Sequence, residues 1–319
     1  MGSALLTAGV DIGGTKLLAV AADGQGKVVA ERRQATAAGP EAILAATAAV
    51  VADLIAAEPG IGAVGVGLPG LVDLNGVVHY APNLPGFVGV AARERLAAVL
   101  PVPVVVDNDA NVAALGEVLH GAGRGQREVL VVTLGTGIGG GLIINGAVNR
   151  GGHGFAAEIG HFTVDRDGPP CACGERGHWE ALASGTALGR RAREWAARGD
   201  APGVLARAGG VVEAVTGHEA GESAKAGEPD GLAILAEHAG DVAVGLGGLV
   251  NMLDPELVVI GGGLVHLGEA LLAPIRAALP ARVEAASLRT VPPVVVAALG
   301  EQAGAVGAAA LARTLVPPP

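Results

Sequence analysis

Short apolar runs of strand type alternate along the chain with longer Ala- and Leu-rich runs of helical type. This alternation is typical of α/β folds built on central sheets. The predicted strands are Ala8–Ile12, Lys16–Ala21, Val28–Arg33, Ala63–Gly67, Val102–Val106, Val129–Leu134, Leu142–Ile144 and Leu257–Ile260. The predicted helices are Glu41–Ala57, one around Ala91–Leu100, one that ends at His120, and Ala303–Leu315. Residues 184–253 have a mostly helical pattern, with an irregular Gly- and Glu-rich interruption predicted around Gly217–Pro229.

The arrangement of strand, Gly/Thr loop and strand occurs twice. In the first copy Gly13-Gly14-Thr15 separates two predicted strands, and in the second the loop Gly135–Gly141 follows a predicted strand. The strand after the second loop turns at Asn145-Gly146, a strong type I′ hairpin signal. We therefore expect a duplicated architecture with two lobes facing one central cleft, although so short a match does not establish a duplication.

Composition favours a soluble globular protein. The chain has 319 residues, of which 50% are hydrophobic and 16% charged, enough for two packed lobes. A net charge of −10 without a Lys/Arg cluster argues against nucleic-acid or anionic-membrane partners. Met1–Val10 lacks the features of a signal peptide, and we find no uninterrupted apolar run long enough to span a bilayer. Two closely spaced cysteines fit a reducing compartment, so we expect a cytoplasmic location.

One short segment concentrates metal-ligating and acidic side chains, namely Glu158, His161, Cys171, Cys173, His178 and Glu180. Two thiolates with two imidazoles are the donor set that tetrahedral Zn²⁺ prefers, although the spacing is not that of a zinc finger. The segment is rich in Gly and Pro, so a bound metal would fix its shape and hold the two glutamates in place. We predict a structural zinc site. The alternative is that the thiols bind no metal and both histidines lie on the surface.

The glycine loops are candidates for phosphate binding. In Asp11-Ile-Gly13-Gly14-Thr15-Lys16, the glycines allow backbone N–H groups to approach phosphate oxygens, and Asp11 could hold a Mg²⁺-bound water. Loop Gly135–Gly141 could act in the same way, and a third strand ends in Gly261-Gly262-Gly263. Neither of the first two loops is a Walker A loop or a dinucleotide fingerprint. Taken singly, each loop is more often a tight turn, but three such loops after strands favour phosphate binding.

The segment Asp107-Asn108-Asp109-Ala110-Asn111 follows a predicted strand and precedes a helix. One reading is a helix N-cap, for which Asn and Asp are favoured. Four polar side chains exceed what a cap requires. A carboxylate at the end of a buried strand is also a place for a general base that takes a proton from an alcohol.

Together these segments resemble the ROK family of bacterial sugar kinases, and in particular its glucokinases. The resemblance rests on Asp11–Lys16, Asp107–Asn111, Leu134–Gly141, Glu158-Ile-Gly-His161 and Cys171-x-Cys173-Gly-x-x-Gly-His178-x-Glu180. It spans essentially the whole chain. The zinc segment is its most specific part, whereas the glycine loops are shared with the wider actin, hexokinase and Hsp70 superfamily.

The resemblance implies an α/β, two-lobe actin/hexokinase-like fold of ribonuclease-H-like domains. Residues 1–113 plus 301–319 would form the small lobe, and residues 114–300 the large lobe with the zinc loop. The implied activity is ATP-dependent phosphorylation of glucose to glucose 6-phosphate, with mannose, fructose or an N-acetylhexosamine as alternative acceptors. The implied partners are a hexose and ATP, and the implied assembly is a homodimer or homotetramer.

The resemblance also assigns roles residue by residue, with Asp109 as the catalytic base. The residues implied to contact sugar are Gly70, Asn83, Asn108, Asp109, Glu158, His161 and Glu180. The residues implied to bind ATP and Mg²⁺ are Asp11, Gly13, Gly14, Thr15, Lys16, Gly135, Thr136, Gly137, Gly139, Gly262 and Gly263. The ligands of the structural Zn²⁺ would be His161, Cys171, Cys173 and His178.

Two departures from the family pattern stand out. Family members commonly have a third Cys where this chain has His178, and Gly where it has Ala157. The first change keeps four ligands, so we expect zinc to remain. The second adds a methyl group beside Glu158, which could narrow the sugar pocket.

Two other functional classes are weighed. ROK transcriptional repressors carry a helix-turn-helix domain before the segment that begins here at Asp11, so we do not expect that role. A non-catalytic sugar-binding protein would be expected to lack Asp109 or the phosphate loops, and both are present.

Overall fold

The fold is described from a computed structural model, which describes residues 5–316. Within these residues the strands are β1 Leu6–Ile12, β2 Lys16–Ala22, β3 Val28–Ala35, β4 Ile61–Leu68, β5 Leu71–Val72, β6 Val77–Tyr80, β7 Val90–Ala91, β8 Val104–Asn108, β9 Val129–Leu134, β10 Ile138–Ile144, β11 Ala147–Val148, β12 Leu257–Gly261 and β13 Val294–Val296. The helices are α1 Pro40–Ala57, α2 Ala92–Ala97, α3 Asp109–His120, α4 Trp179–Ala183, α5 Gly185–Arg198, α6 Pro202–Arg207, α7 Gly217–Lys225, α8 Pro229–Leu253, α9 Glu269–Ala278 and α10 Ala303–Ala312.

The first sheet has the strand order β3-β2-β1-β4-β8. Strand β1 is antiparallel to β2 and parallel to β4, and β4 is parallel to β8. In the register, Asp11 lies opposite Gly67, and Gly67 lies opposite Asp107. The carboxyl ends of the three parallel strands therefore meet at one edge of this sheet, which brings Asp11 and the end of β8 together.

Helix α10 packs closely against this sheet and against α3. All ten of its residues are buried, which is why its sequence is apolar on every side. A Cβ on Gly9 would lie 1.9 Å from the Ala305 carbonyl oxygen, and one on Gly307 would lie 1.7 Å from the Val112 carbonyl oxygen. Glycine at these contacts allows α10 to approach the backbone of β1 in the first case and the backbone of α3 in the second. The opposite face of the sheet is covered by α1, whose Ile43, Val51 and Leu54 join the core.

A second five-stranded sheet has the order β11-β10-β9-β12-β13. Strands β12 and β13 are parallel, and β10 and β11 form an antiparallel hairpin. The turn residues Asn145 and Gly146 have φ angles of 54° and 77°, as the predicted type I′ turn requires. Strands β5, β6 and β7 form a small third sheet.

Contacts group the chain into two compact units. The first comprises the chain up to Val131, the segment Gly141–Ala157 and the chain from Ala297 onward, and the second comprises Val132–Gly140 and Glu158–Val296. The lobes expected from the sequence, residues 1–113 with 301–319 and residues 114–300, divide the chain at other positions, and that assignment stays a prediction. Residues 1–4 and 317–319 of the expected small lobe lie outside the described residues.

Most strands and helices predicted from the sequence are confirmed within a few residues, but four predictions need correction. The predicted loop Gly135–Gly141 is shorter, because β10 begins at Ile138, and Gly141 packs in extended conformation against α3. The predicted strand Val102–Val106 is shifted to β8 because its pairing with β4 continues to Asn108. The predicted helix Ala91–Leu100 is the shorter α2, preceded by β7.

The fourth correction concerns the irregular interruption predicted around Gly217–Pro229, which contains helix α7. A capping box starts this helix: Thr216 caps the first turn, and the Glu219 carboxylate accepts a hydrogen bond from the Thr216 backbone N–H at 2.8 Å. Burial of Ala220, Gly221 and Ala224 stabilises it further. The Gly- and Glu-rich composition of this segment does not indicate a helix, but the capping-box residues from Thr216 to Glu219 do.

Two helices, α1 and α8, are long and apolar enough by length and composition to cross a membrane. Charged residues interrupt both helices, namely Glu41 and Asp53 in α1 and Glu237 and Asp241 in α8, so the expectation that no uninterrupted apolar run reaches that length is not contradicted. Core helices of soluble proteins commonly have the same length and composition. Within the most apolar 18-residue stretch of each helix, the share buried inside the fold is 33% in α1 and 61% in α8.

Candidate active site and metal site

The acidic segment that is predicted to carry the chemistry forms the turn from β8 into α3. Asn108 is the N-cap of α3, since its Oδ1 accepts a hydrogen bond from the Asn111 backbone N–H at 3.0 Å. The Asn108 Nδ2 group donates to the Gly70 carbonyl oxygen at 3.1 Å. The capping interpretation is therefore right for Asn108, and the same side chain fixes the position of Gly70.

Asp107 is buried and held by several donors. Both Nε and Nη2 of Arg150 lie 2.7 Å from its Oδ2, and the Asn111 Nδ2 group donates to its Oδ1 at 3.0 Å. The Asn108 backbone N–H also donates to Oδ1, at 2.8 Å. Both oxygens of this carboxylate are therefore already engaged by donors within the fold. Asp107 therefore stabilises the turn, and Asp109 is the better candidate for the base.

Asp109 and Asp11 form an electrostatically coupled pair in the first unit. Burial raises the pKa of Asp109, an effect partly offset by the Ala110 backbone N–H that donates to its Oδ1 at 2.9 Å. Burial and the charge of Asp109 raise the pKa of Asp11 from 3.8 to about 7, with Lys16 acting in the opposite direction. Carboxylates with pKa values raised toward neutrality are typical of groups that accept protons or bind cations.

The first glycine loop is a tight turn that leaves its tip open. The Gly13 N–H donates to the Lys16 carbonyl oxygen at 2.9 Å and closes the hairpin, whereas Gly14 and Thr15 are exposed. A Cβ on Gly14 would lie 3.2 Å from the Asn83 carbonyl oxygen, so the two residues are neighbours. The Lys16 ammonium group lies 2.9 Å from Glu301. The loop tip and Lys16 therefore lie at the surface of the first unit. The tip is next to Asn83, a residue predicted to contact sugar.

In the second unit two glycine loops and a helix N-terminus come together. The Gly185 N–H donates to the Gly135 carbonyl oxygen at 2.7 Å, and Thr186 Oγ1 donates to the Thr136 carbonyl oxygen at 2.8 Å. A Cβ on Gly135 would lie 3.9 Å from the Gly263 nitrogen. Because α5 starts at Gly185, its positive end lies beside these loops, an arrangement that favours phosphate. Gly262 packs on Leu134, with a φ of 83°, and Gly139 lies in β10.

Glu180, in the first turn of α4, contacts both the loop after β9 and Cys171, one of the predicted zinc ligands. Its Oε2 accepts a hydrogen bond from the Ile138 N–H at 2.8 Å, and a Cβ on Gly137 would lie 2.2 Å from that oxygen. Its Oε1 lies 3.9 Å from Cys171 Sγ. Only glycine at position 137 leaves room for this carboxylate.

Four side chains predicted as zinc ligands converge in the second unit: His161, Cys171, Cys173 and His178. One donor atom from each lies within 4.8 Å of the others. Cys173 Sγ lies 3.2 Å from His178 Nδ1, and Cys171 Sγ lies 3.8 Å from His161 Nδ1. Burial raises the pKa of the Cys171 thiol, and a divalent cation would instead hold the sulfur as a thiolate. The arrangement fits a tetrahedral Zn²⁺ ion with two sulfur and two nitrogen ligands.

Ala157 and Glu158 precede the first of these ligands. Ala157 has a φ of 69°, in the left-handed region that favours glycine. Glu158 is exposed, and its carbonyl oxygen accepts a hydrogen bond from the His161 N–H at 3.0 Å. The residue that departs from the family pattern therefore occupies a strained backbone position next to a predicted sugar ligand.

Sequence reasoning missed two polar residues of the first unit. Arg150 is the ion-pair partner of Asp107, and no local signal marks it because it lies 43 residues further along the chain. Asn111 lies in the acidic segment, but the sequence pattern assigns no function to it. Among residues 5–316, its Oδ1 is one of two buried side-chain polar atoms without a hydrogen-bond partner, so it can accept a hydrogen bond from a ligand or water.

Comparison with known proteins agrees with these observations. A ROK family model matches residues 7–315. The glucokinase of Streptomyces coelicolor is 40% identical over 311 residues, which cover 97% of this chain and 98% of that protein. The glucokinase of Thermotoga maritima is 35% identical over 308 residues, 96% of each chain. The crystal structure of a ROK family glucokinase from Streptomyces griseus, in complex with glucose and AMPPNP, superimposes with a TM-score of 0.86 at 39% identity, covering 97% of this chain and 99% of that one.

Proposed function

Because the chain belongs to the ROK family, we propose that it is a glucokinase that transfers the γ-phosphoryl group of ATP to glucose and forms glucose 6-phosphate. The observation that carries the proposal is full-length similarity to a glucokinase structure that holds glucose and an ATP analogue. The predicted α/β, two-lobe sugar-kinase fold is confirmed by the same similarity.

We assign the general base to Asp109. The attacking sugar hydroxyl forms the new O–P bond, the bond from the γ-phosphorus to the bridging oxygen of ATP breaks, and ADP leaves. The hydroxyl proton passes to the Asp109 carboxylate, whose pKa is raised by burial, which makes it a stronger proton acceptor than an exposed carboxylate. Since the transition state of phosphoryl transfer is loose, the protein chiefly aligns donor and acceptor.

We propose the glycine loops as nucleotide contacts, as the family resemblance implies. The proposed residues are Gly13, Gly14, Thr15, Lys16, Gly135, Thr136, Gly137, Gly139, Gly262 and Gly263. The α5 N-terminus beside Gly135 supports a phosphate there. Asp11 would hold a water bound to Mg²⁺, which when present neutralises charge on the phosphates. The raised pKa of Asp11 fits a carboxylate that becomes an anion readily only when a cation is near.

We propose that the residues assigned to sugar by the family resemblance bind its hydroxyls, namely Glu158, His161, Glu180, Asn108, Asn83 and Gly70. Such a site penalises any analogue that leaves one of its buried polar groups unpaired. We therefore expect glucose to be preferred to its 2-deoxy and epimeric analogues. The Ala157 methyl adds volume next to Glu158, so we expect N-acetylhexosamines to be poor substrates.

We propose that His161, Cys171, Cys173 and His178 hold a structural Zn²⁺. The convergence of their donor atoms supports this assignment, as does the proximity of Cys171 to Glu180. His161 would ligate zinc through one ring nitrogen and reach sugar through the other, so the metal would orient two sugar-binding side chains. We also propose a cytoplasmic location, which suits free thiols, and the expected homodimer or homotetramer stays a prediction.

A coupled assay of the purified chain tests the activity. With ATP and Mg²⁺, kcat/KM is measured for glucose, mannose, fructose, N-acetylglucosamine and N-acetylmannosamine, and glucose should give the largest value. Asp109→Asn should lower kcat by about two to four orders of magnitude with little change in glucose affinity. Asp53→Asn, at an exposed position of α1, is the matched control and should retain activity.

Each outcome separates the alternatives. Preference for an N-acetylated sugar would refute the choice of glucose but keep the kinase. Hexose binding by calorimetry without phosphorylation of any sugar would favour the non-catalytic class. An Asp109→Asn enzyme with more than a tenth of the wild-type rate would remove Asp109 from the role of base.

A further inference from the structure

The described residues contain a second group of metal-ligating side chains besides the Cys–His cluster, which consists of His161, Cys171, Cys173 and His178. His218 and Glu222 are one helical turn apart on α7, and His266 lies in the 3₁₀ turn Gly263–Leu267 that follows β12. One donor atom from each of the three lies within 4.8 Å of the other two. Residues from two separate segments of the chain therefore converge on one small volume.

Close packing explains why the 3₁₀ turn lies against this face of α7. Leu267 is 2% exposed, and a Cβ on Gly221 would lie 2.3 Å from its Cδ2. Glycine at position 221 thus makes room for the Leu267 side chain. Because Leu267 follows His266 directly, its anchoring brings the imidazole to the helix face that carries His218 and Glu222.

A hydrogen bond sets the tautomer of His266. Its Nδ1 is hydrogen-bonded to the Gly263 carbonyl oxygen, and since a carbonyl can only accept, Nδ1 carries the proton. The lone pair of the neutral ring is then on Nε2. Metal-bound histidines usually have one ring N–H bound in this way to a backbone carbonyl or a carboxylate, which fixes the ring and makes the ligating nitrogen more basic.

We propose that His218, Glu222 and His266 form a second metal site, which takes a divalent transition-metal ion such as Zn²⁺ or Co²⁺. Two imidazoles and a carboxylate suit these ions better than Mg²⁺ or Ca²⁺, which take mostly oxygen ligands. Donors bound to one tetrahedral ion lie about 3.4 Å apart, so side-chain movements of about 1 Å close the site. Three protein ligands leave at least one position for water or an external ligand.

Lys225 competes with the metal for this site. Its ammonium group donates to Glu222 Oε1 at 2.9 Å, and both side chains are partly exposed. A metal ion must displace this ammonium group or bind beside it. Removing the amine should therefore tighten metal binding, whereas a purely structural cluster would respond to its loss only in stability.

Cobalt titration of the full chain tests the proposal, because Co²⁺ reports its ligands by absorption. The Cys–His cluster should give thiolate-to-cobalt charge-transfer absorption, and the proposed site should add a second Co²⁺ without further absorption of that kind. His266→Ala and Glu222→Gln should each weaken binding of the second ion by more than about tenfold and leave the thiolate band unchanged. Lys225→Ala should strengthen it several-fold. His153→Ala, at an exposed histidine of the other unit, is the matched control.

Circular dichroism establishes that each variant is folded. Competition with Zn²⁺ measures again how many metal ions each chain binds. These readouts do not depend on kinase activity, so they remain valid if the proposed function is wrong. Equal binding by wild type and His266→Ala would overturn the proposal. It would also be overturned if the wild type bound a single Co²⁺ that Cys173→Ser abolishes.

Discussion

Replacing Asp11 by Asn should stabilise the folded protein at neutral and alkaline pH. The Asp11 carboxyl lies at the end of β1, where burial and the charge of Asp109 raise its pKa from 3.8 to about 7. A Cβ on Gly304 of α10 would lie 2.5 Å from its carboxyl carbon, so the helix backbone excludes water on that side. Asn keeps the shape of the protonated acid but carries no charge.

The sign of the effect follows from proton linkage. Between the unfolded pKa and the folded pKa, the native chain binds a proton at Asp11 that the unfolded chain has released. Stability contributed by this group is therefore fully present below about pH 4 and is lost as pH rises to about 7. The difference of about 3 pKa units corresponds to about 4 kcal/mol. This value is the upper bound of the effect on stability, because water and nearby side chains relax around the charge.

Urea unfolding in Mg²⁺-free buffer measures the effect. Asp11→Asn should raise the midpoint of the transition of the first unit at about pH 8, by an amount equivalent to about 1–4 kcal/mol at constant m-value, and should change it little at about pH 4.5. Asp53→Asn, at an exposed carboxylate of α1, should shift the midpoint equally at both pH values. Added Mg²⁺ should narrow the gap at pH 8 if Asp11 holds the cation through water.

Equal destabilisation by Asp11→Asn at both pH values would refute this prediction. That result would mean that the carboxylate ionises in the fold with good partners, and that the packing of α10 against it does not desolvate it.

Three further results are expected. Cys173→Ser should release the proposed zinc while His178→Cys retains one Zn²⁺ per chain, as measured by elemental analysis; a metal-free and fully active wild type would exclude the site. Gly307→Ala should lower the unfolding free energy by about 3 kcal/mol or more, since its Cβ would lie 1.7 Å from a backbone oxygen of α3, and an unchanged melting temperature would contradict that packing. Ala157→Gly should stabilise by about 0.5–1 kcal/mol in urea unfolding because the left-handed strain is relieved; destabilisation would mean that the lost methyl contacts or the added backbone entropy outweigh it.

Much of the first unit could be predicted because its signals are local. Alternating apolar runs bounded by glycine pairs give β1 and β2, and Pro40 followed by an apolar helical pattern gives α1. The cap at Asn108 was visible as one of two readings of the acidic segment, and the structure confirms it for that residue. Which of the two flanking aspartates accepts a proton depends on donors that the local sequence does not contain.

Arg150, in the segment that follows β11, pairs with the Asp107 carboxylate, whereas burial raises the pKa of Asp109. Similarly, the pKa of Asp11 depends on Gly304, near the other end of the chain. Spacing along a sequence identifies groups that can do chemistry, but the electrostatic environment that selects among them is set by residues distant in the sequence.

The two proposed metal sites differ in this respect. Cys171, Cys173 and His178 lie close together in the sequence, so the chain itself keeps them near one another, and their residue types alone indicate a metal. His218 and Glu222 are also one helical turn apart, but this pair is incomplete until Leu267 packs on Gly221 and presents His266. A three-ligand site completed by tertiary packing exists only in the folded unit. Metal binding there should therefore follow the stability of the α7 contact, whereas zinc in the Cys–His loop should help to form the loop itself.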